Sequence, residues 1–208
     1  MRDGLERRRP PVVGVLALQG DVDEHIAIFD QLDVQTLRVK TIEQLDHIDG
    51  LVIPGGESTT VIRLLERFGL VEPLVAHVRA GLPLWGTCMG MIVAATNVAG
   101  LDQRTLGLID ITVRRNAFGR QLASEEVPLD IPALGPIAFP AVFIRAPWIE
   151  RAGTGVEVLA SHGGHGVFVR EGNVMGTSFH PELTTDSRVH GYFLEMIAGS
   201  RHAVAVQA

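Results

Sequence analysis

Apolar positions along the chain follow two alternating rhythms. Residues 12–18 form an unbroken apolar, largely β-branched run, the mark of a strand buried on both faces of a parallel sheet. After the turn Gln19-Gly20-Asp21, the apolar positions thin to Val22, Ile26, Phe29 and Leu32, which lie on one face of a helix over 21–32. The alternation continues with strands predicted at 35–39, 50–53 and 82–85, a helical turn at 42–45, and helices at 59–68, 71–80 and 89–96. Such alternation builds βαβ units on a mostly parallel sheet with helices on both faces.

From about Leu106 the rhythm changes. Residues 109–114, 126–129, 141–144, 156–160, 166–170 and 174–178 read as strands with short connections, and 188–197 returns to helix. The expected fold is a single three-layer α/β domain, a mostly parallel central sheet with antiparallel additions. The domain is expected over 12–200. The arginine-rich segment 1–11, ending in Pro10-Pro11, is expected to be a flexible extension, and 201–208 a frayed tail.

Composition narrows the function classes. A chain of 208 residues, 46% hydrophobic, can bury a sizeable core. A net charge of −6 weighs against a nucleic-acid binder. No apolar run reaches the roughly 18 residues of a membrane span. The single cysteine, Cys88, excludes an intrachain disulfide and fits a reducing, cytoplasmic setting.

A lone cysteine is most often a small buried hydrophobe, but the surroundings of Cys88 argue otherwise. Leu84-Trp85-Gly86-Thr87-Cys88-Met89-Gly90 is a strand, a Gly-x-Cys-x-Gly turn and a helix start. That is the nucleophile-elbow arrangement with cysteine in the serine position. Glycines allow the tight turn, which lifts the sulfur out at the C-terminal edge of the sheet, where open α/β folds bind ligands. The helix start favours a thiolate, and the Met89 N–H is the expected oxyanion donor.

Such a nucleophile needs a base. Of eight histidines, His25, His47, His77 and His190 have no evident partner in the sequence. His162 and His165 flank Gly163-Gly164 in an expected hairpin turn, two nitrogens where zinc takes four ligands, so no metal is expected. His180 follows a strand and is spaced by Pro181 from Glu182. Period-two alternation would put both side chains on one side, with Glu182 holding the imidazole. A surface turn is the simpler reading of His-Pro-Glu alone. Pro54-Gly55-Gly56-Glu57-Ser58-Thr59-Thr60 follows a buried strand and opens a helix. It reads as a phosphate cradle, as a second oxyanion arm formed by Gly55 and Gly56, or as a helix start capped by Ser58 or Thr59.

Taken together, the Pro-Gly-Gly loop, the Gly-x-Cys-x-Gly elbow and the His-Pro-Glu resemble the class I (triad) glutamine amidotransferases, with their flavodoxin-like architecture. Leu18-Gln19-Gly20, Glu24-His25, the segment from Arg115 to Gln121, Phe143-Ile144-Arg145-Ala146-Pro147 and Ser178-Phe179-His180-Pro181-Glu182-Leu183-Thr184 narrow the likeness to glutaminase subunits of pyridoxal 5'-phosphate synthase. The resemblance spans nearly the whole of 12–197. It implies hydrolysis of L-glutamine by Cys88, His180 and Glu182, without a cofactor. It also implies delivery of ammonia to a synthase subunit in a hetero-oligomer that activates an otherwise weak glutaminase. Glutamine contacts fall on Gly56, Glu57, Ser58, Arg115, Ile144 and Arg145. Either arginine suits the α-carboxylate. Met89 departs from the family, which often has a smaller residue there. The rival readings are a subunit serving imidazole-glycerol, purine or anthranilate synthesis, and a nonenzymatic cysteine-elbow redox sensor or chaperone.

Overall fold

Four parallel strands end at one edge of the sheet, and each hands the chain to a loop that meets the others there. They are β1 (Val12–Leu16), β3 (Gly50–Ile53), β4 (Leu84–Thr87) and β12 (Val174–Thr177). The computed structural model describes residues 9–115 and 124–207, with side chains through residue 201.

With β2 (Gln35–Val39), these strands make the parallel half, in the order β2-β1-β3-β4-β12. The chain leaves β1 to one side for β2 and returns to the other side for β3. Loops diverge at such a reversal and leave a crevice. The sheet continues through β11 (His165–Glu171), β9 (Trp148–Ala152), β6 (Ile109–Arg114) and β5 (Ala95–Val98), with β10 (Glu157–His162) paired to β11. β11 runs antiparallel to both β12 and β9, and β9 antiparallel to β6. A separate ribbon pairs β7 (Ser124–Leu129) with β8 (Phe139–Ile144).

Period-two alternation divides the strand residues between two cores. Leu51, Ile53 and Leu84 face one way, against α2 (Ser58–Arg67), α3 (Val71–Arg79) and α4 (Met89–Ala94). Val13, Val15, Val52 and Trp85 face the other, against α1 (Val22–Gln31), α5 (Arg188–Gln207) and the β7–β8 ribbon. The result is the expected α/β domain with helices on both faces. Among the described residues, no helix is long and apolar enough to cross a membrane.

Three local readings differ. The helix expected over 89–96 stops at Ala94, because Ala95–Val98 pairs with β6 as a strand. β9 was not expected; only Ile149 is buried along it, so no alternation marks it. α5 runs to Gln207, across the boundary expected at 200, and Arg201 bonds the Arg9 carbonyl at 3.1 Å. Arg9, inside the expected extension, pairs with Asp49 at 2.7 Å; residues 1–8 lie outside the described residues. The His162–His165 hairpin forms as expected, its two glycines at φ 58 and 81, the backbone a two-residue turn needs.

Candidate active site

Cys88 sits where β4 meets α4, at φ 47 and ψ −102. A non-glycine residue in that region stores on the order of 1–3 kcal/mol. Its N–H donates to the Thr177 carbonyl at 2.7 Å, pinning the elbow to β12. The flanking glycines are required by close approach. A Cβ on Gly90 would fall 1.9 Å from the Ile53 carbonyl oxygen, and one on Gly86 would fall 2.4 Å from the Gly90 backbone. Cys88 is 8% exposed, and its sulfur lies 4.0 Å from the Ile144 carbonyl oxygen.

His180 arrives from β12, and its N–H is fixed to the Val142 carbonyl of the ribbon at 2.8 Å. The strand ends at Thr177, and His180 caps a 3₁₀ turn over Pro181–Leu183. That turn, rather than the strand alternation expected, folds Glu182 back under the imidazole. Nδ1 of His180 lies 2.7 Å from Glu182 Oε1 and 3.5 Å from Asp21 Oδ2. With Nδ1 so engaged, Nε2 is the nitrogen left for the sulfur of Cys88, which lines the same cleft. Burial works against a charged imidazole here, but the bonds to Asp21, Cys88 and Glu182 outweigh it and push His180 up to about 12. Burial pushes Glu182 up, and its bond to His180 pulls the other way.

The glycine loop after β3 closes the other side. The Gly55 carbonyl accepts from the Asp21 N–H at 3.2 Å, and the Glu57 N–H donates to Gln19 Oε1 at 2.8 Å. Gly55 must lack a side chain, since a Cβ would fall 2.5 Å from His180 Cε1. The helix cap is Glu57, not Ser58 or Thr59: its carboxylate accepts from the Thr60 N–H at 2.8 Å. Burial opposes ionisation of Glu57, but bonds from Thr59 and Thr60 hold it down at about 2. Glu57 also pairs with Arg115 at 3.1 Å, and Gln103 Oε1 takes bonds from Arg115 at 3.0 Å and Ser58 at 3.3 Å.

These pieces surround a cleft of about 410 Å³. Gly56, Glu57, Ser58, Cys88, Met89, Arg115, Ile144, Arg145 and His180 line it, together with Gln19 and Asp21. Of the residues expected at the site, Gly55 and Glu182 stand behind the lining, both against His180. Arg145 holds φ 43 at the end of β8. Of the 115–121 segment, Arg115 alone falls within the described residues. Among the described residues, Asp21, His180 and Glu182 bring possible ligand atoms within 4.8 Å of one another. The bonds just given use those same atoms to hold a proton on His180.

Two histidines without evident partners in the sequence are in fact tied to this site. His25 and His190 are wholly buried and 3.1 Å apart, and His25 Nε2 lies 3.4 Å from Glu182 Oε2. Asp21, too, was read only as a turn residue. His77 bonds Asp46 at 3.0 Å on the surface.

A profile described as the SNO glutamine amidotransferase family matches residues 15–199. Pyridoxal 5'-phosphate synthase subunit PdxT of Streptomyces avermitilis is 54% identical over 195 residues, 92% of this chain and 96% of that protein. Its counterpart in Thermotoga petrophila is 51% identical over 185 residues, 89% and 98% of the two chains. A crystal structure of a glutamine amidotransferase superposes with a TM-score of 0.85 at 46% identity, covering 89% of this chain and 98% of that one. The chain belongs to the SNO glutamine amidotransferase family.

Proposed function

We propose that this chain is the glutaminase subunit of a pyridoxal 5'-phosphate synthase, with Cys88 as nucleophile, His180 as general acid and base, and Glu182 as the orienting acid. The observation that carries the reading is His180 itself, bonded to Glu182 at 2.7 Å and lining the same cleft as the lone thiol.

The thiolate of Cys88 attacks the side-chain amide carbon of L-glutamine. The Met89 N–H and the Gly55–Gly56 backbone take the charge that develops on oxygen. His180 gives its Nε2 proton to the amide nitrogen, ammonia leaves, and a thioester remains. His180 then removes a proton from water, the hydroxide adds to the thioester, and glutamate departs as the thiolate reforms. Arg115 meets the α-carboxylate, and Gly56, Glu57, Ser58, Ile144 and Arg145 complete the pocket. The ammonia passes to a separate synthase subunit, which also activates hydrolysis. The domain doing this work is 12–200, and its thiol chemistry suits the cytoplasm.

Ammonia release from glutamine, with and without the purified synthase subunit, tests the reading in wild type and Cys88→Ala. Wild type should respond to the synthase, and Cys88→Ala should fall to background. Hydrolysis that survives in Cys88→Ala, or a wild-type rate untouched by the synthase, overturns it.

A further inference from the structure

Behind Glu182, away from the cleft, lies a polar chain that the triad does not use. Glu182 is itself buried, and its Oε2 has no hydrogen-bond partner of good geometry. An unpaired carboxylate oxygen out of water is costly. It faces His25 Nε2 at 3.4 Å, and that nitrogen also lies 3.2 Å from Thr87 Oγ1. His25 Nδ1 lies 3.1 Å from His190 Nε2, and His190 Nδ1 is buried without a partner.

Two proton arrangements are possible, and the unpartnered Nδ1 of His190 chooses between them. If His25 carries its proton on Nδ1, its Nε2 lone pair faces the carboxylate, and His190 must then carry an unpaired, buried N–H. If His25 carries its proton on Nε2, the N–H bonds Thr87 Oγ1 at 3.2 Å and places its positive edge beside Glu182 Oε2 at 3.4 Å. His190 then donates from Nε2, and its bare Nδ1 is only an unused lone pair. Buried N–H groups without partners are rarer than under-used acceptors. Trp85 packs edge-on against both rings, at 5.2 and 4.9 Å, and Phe29 against His190 at 5.0 Å. These walls hold each ring in place.

We infer that His25, backed by His190, is a positioning residue: its Nε2–H holds the second oxygen of Glu182 and extends the triad inward as an ordered relay, Cys88–His180–Glu182–His25–His190. This rests on the triad proposed above. His25 does not line the cleft, so its removal should slow turnover and leave glutamine binding alone. Among the described residues, the charged or titratable groups facing the acid are His180, His25 and, across His180, Asp21. Losing the His25 donor disfavours the ionised carboxylate, so activity should fail at higher pH on the acid side.

His25→Gln and His25→Asn separate this role from a structural one. Glutamine keeps a donor at the far position; asparagine reaches only toward His190. In complex with the synthase subunit, His25→Asn should lose about tenfold in kcat, the scale of outer partners that orient a reacting group, with KM within about twofold. The acid limb of kcat/KM, and of Cys88 alkylation by iodoacetamide, should move to higher pH. His25→Gln should recover most of kcat and the wild-type limb. Equal activity in both variants, or equal losses tracking lowered Tm, overturns the inference. Nitrogen-15 spectra of the wild-type histidines test it without any variant: Nε2–H on His25 is expected, and Nδ1–H overturns it. If Cys88→Ala is dead while His25→Asn is fully active, this inference alone fails; if Cys88→Ala is active, the triad reading fails.

Discussion

Glu182 separates two kinds of buried imidazole. On the cleft side, His180 is pushed up to about 12, although burial opposes its charge, because Asp21, the Cys88 sulfur and Glu182 all accept from it. On the core side, His190 is pushed down to about 3 by burial. His25 falls well below its ordinary value through burial, then through His190 and His180. All three rings are nearly excluded from water. What differs is the number of acceptors each ring meets. Burial by itself neutralises an imidazole, and only surrounding acceptors reverse that. The same carboxylate thus has a charged donor on its reacting side and a neutral one on its supporting side.

The severest way to break this contrast is Glu182→Gln. The amide keeps the shape but loses the charge that fixes the His180 tautomer. Removing that charge from a triad costs on the order of a thousandfold or more in kcat. Glutamine hydrolysis in the presence of the synthase subunit should fall by about that factor. A loss under tenfold would show that Asp21, 3.5 Å from the same nitrogen, holds the ring instead, and that Glu182 is not the divide.

Stability against pH reads the two sides with opposite signs. His25 and His190 ordinarily titrate at 6.5 but stay neutral when folded. Below about pH 6.5 the unfolded chain therefore binds protons that the folded chain does not. The contribution of His190 is present above 6.5 and is lost as pH falls toward about 3, and that of His25 is lost in the same direction. His180 is the reverse. Its folded form keeps the proton up to about 12, so its contribution is full below 6.5 and is lost as pH rises through that range. Urea unfolding from pH 5 to 9 should show both limbs. His190→Leu should flatten the acid limb by about one proton, roughly 1.4 kcal/mol per pH unit, and His180→Gln should flatten the alkaline one. An acid limb unchanged in His190→Leu would mean that the core pair is charged in the folded protein.

Sequence made the reacting side of this contrast legible and hid the supporting side, for physical reasons. The elbow announces itself because Gly86, Cys88 and Gly90 fall together in one strand-to-helix turn, a pattern readable without knowing that Gly90 is also pressed against Ile53. His180 and Glu182 are two residues apart, so any tight turn brings them together, even though a 3₁₀ turn does it and not the strand expected. His25 and His190 are 165 residues apart, on different helices, and meet only when α1 and α5 pack on one face of the sheet. A signal was present. His25 falls three residues after Val22 and four before Phe29, on the buried stripe of α1, where an unpartnered polar residue would be costly. The parallel half was readable from continuous apolar runs. β5 and β9 were not, because their strand identity comes from pairing with β6 rather than from their own sequence.

The smallest expected effect separates binding from chemistry on the cleft side itself. Arg115 is held between Glu57 and Gln103, with 27% of its side chain exposed. Arg145 also lines the cleft but is exposed. A guanidinium already fixed in place loses less entropy when it closes on a carboxylate, so Arg115 should carry more of the glutamine α-carboxylate than Arg145. Losing a charged hydrogen bond costs roughly 1.5–3 kcal/mol, so Arg115→Ala should raise KM for glutamine by about tenfold or more. Iodoacetamide should still alkylate Cys88 at the wild-type rate, since that reagent has no α-carboxylate to bind. Arg115→Lys should recover little, because a point charge cannot replace the fork. A KM that rises more in Arg145→Ala than in Arg115→Ala would reverse the assignment. A slowed alkylation in Arg115→Ala would place Arg115 with His180 in the chemistry rather than in binding.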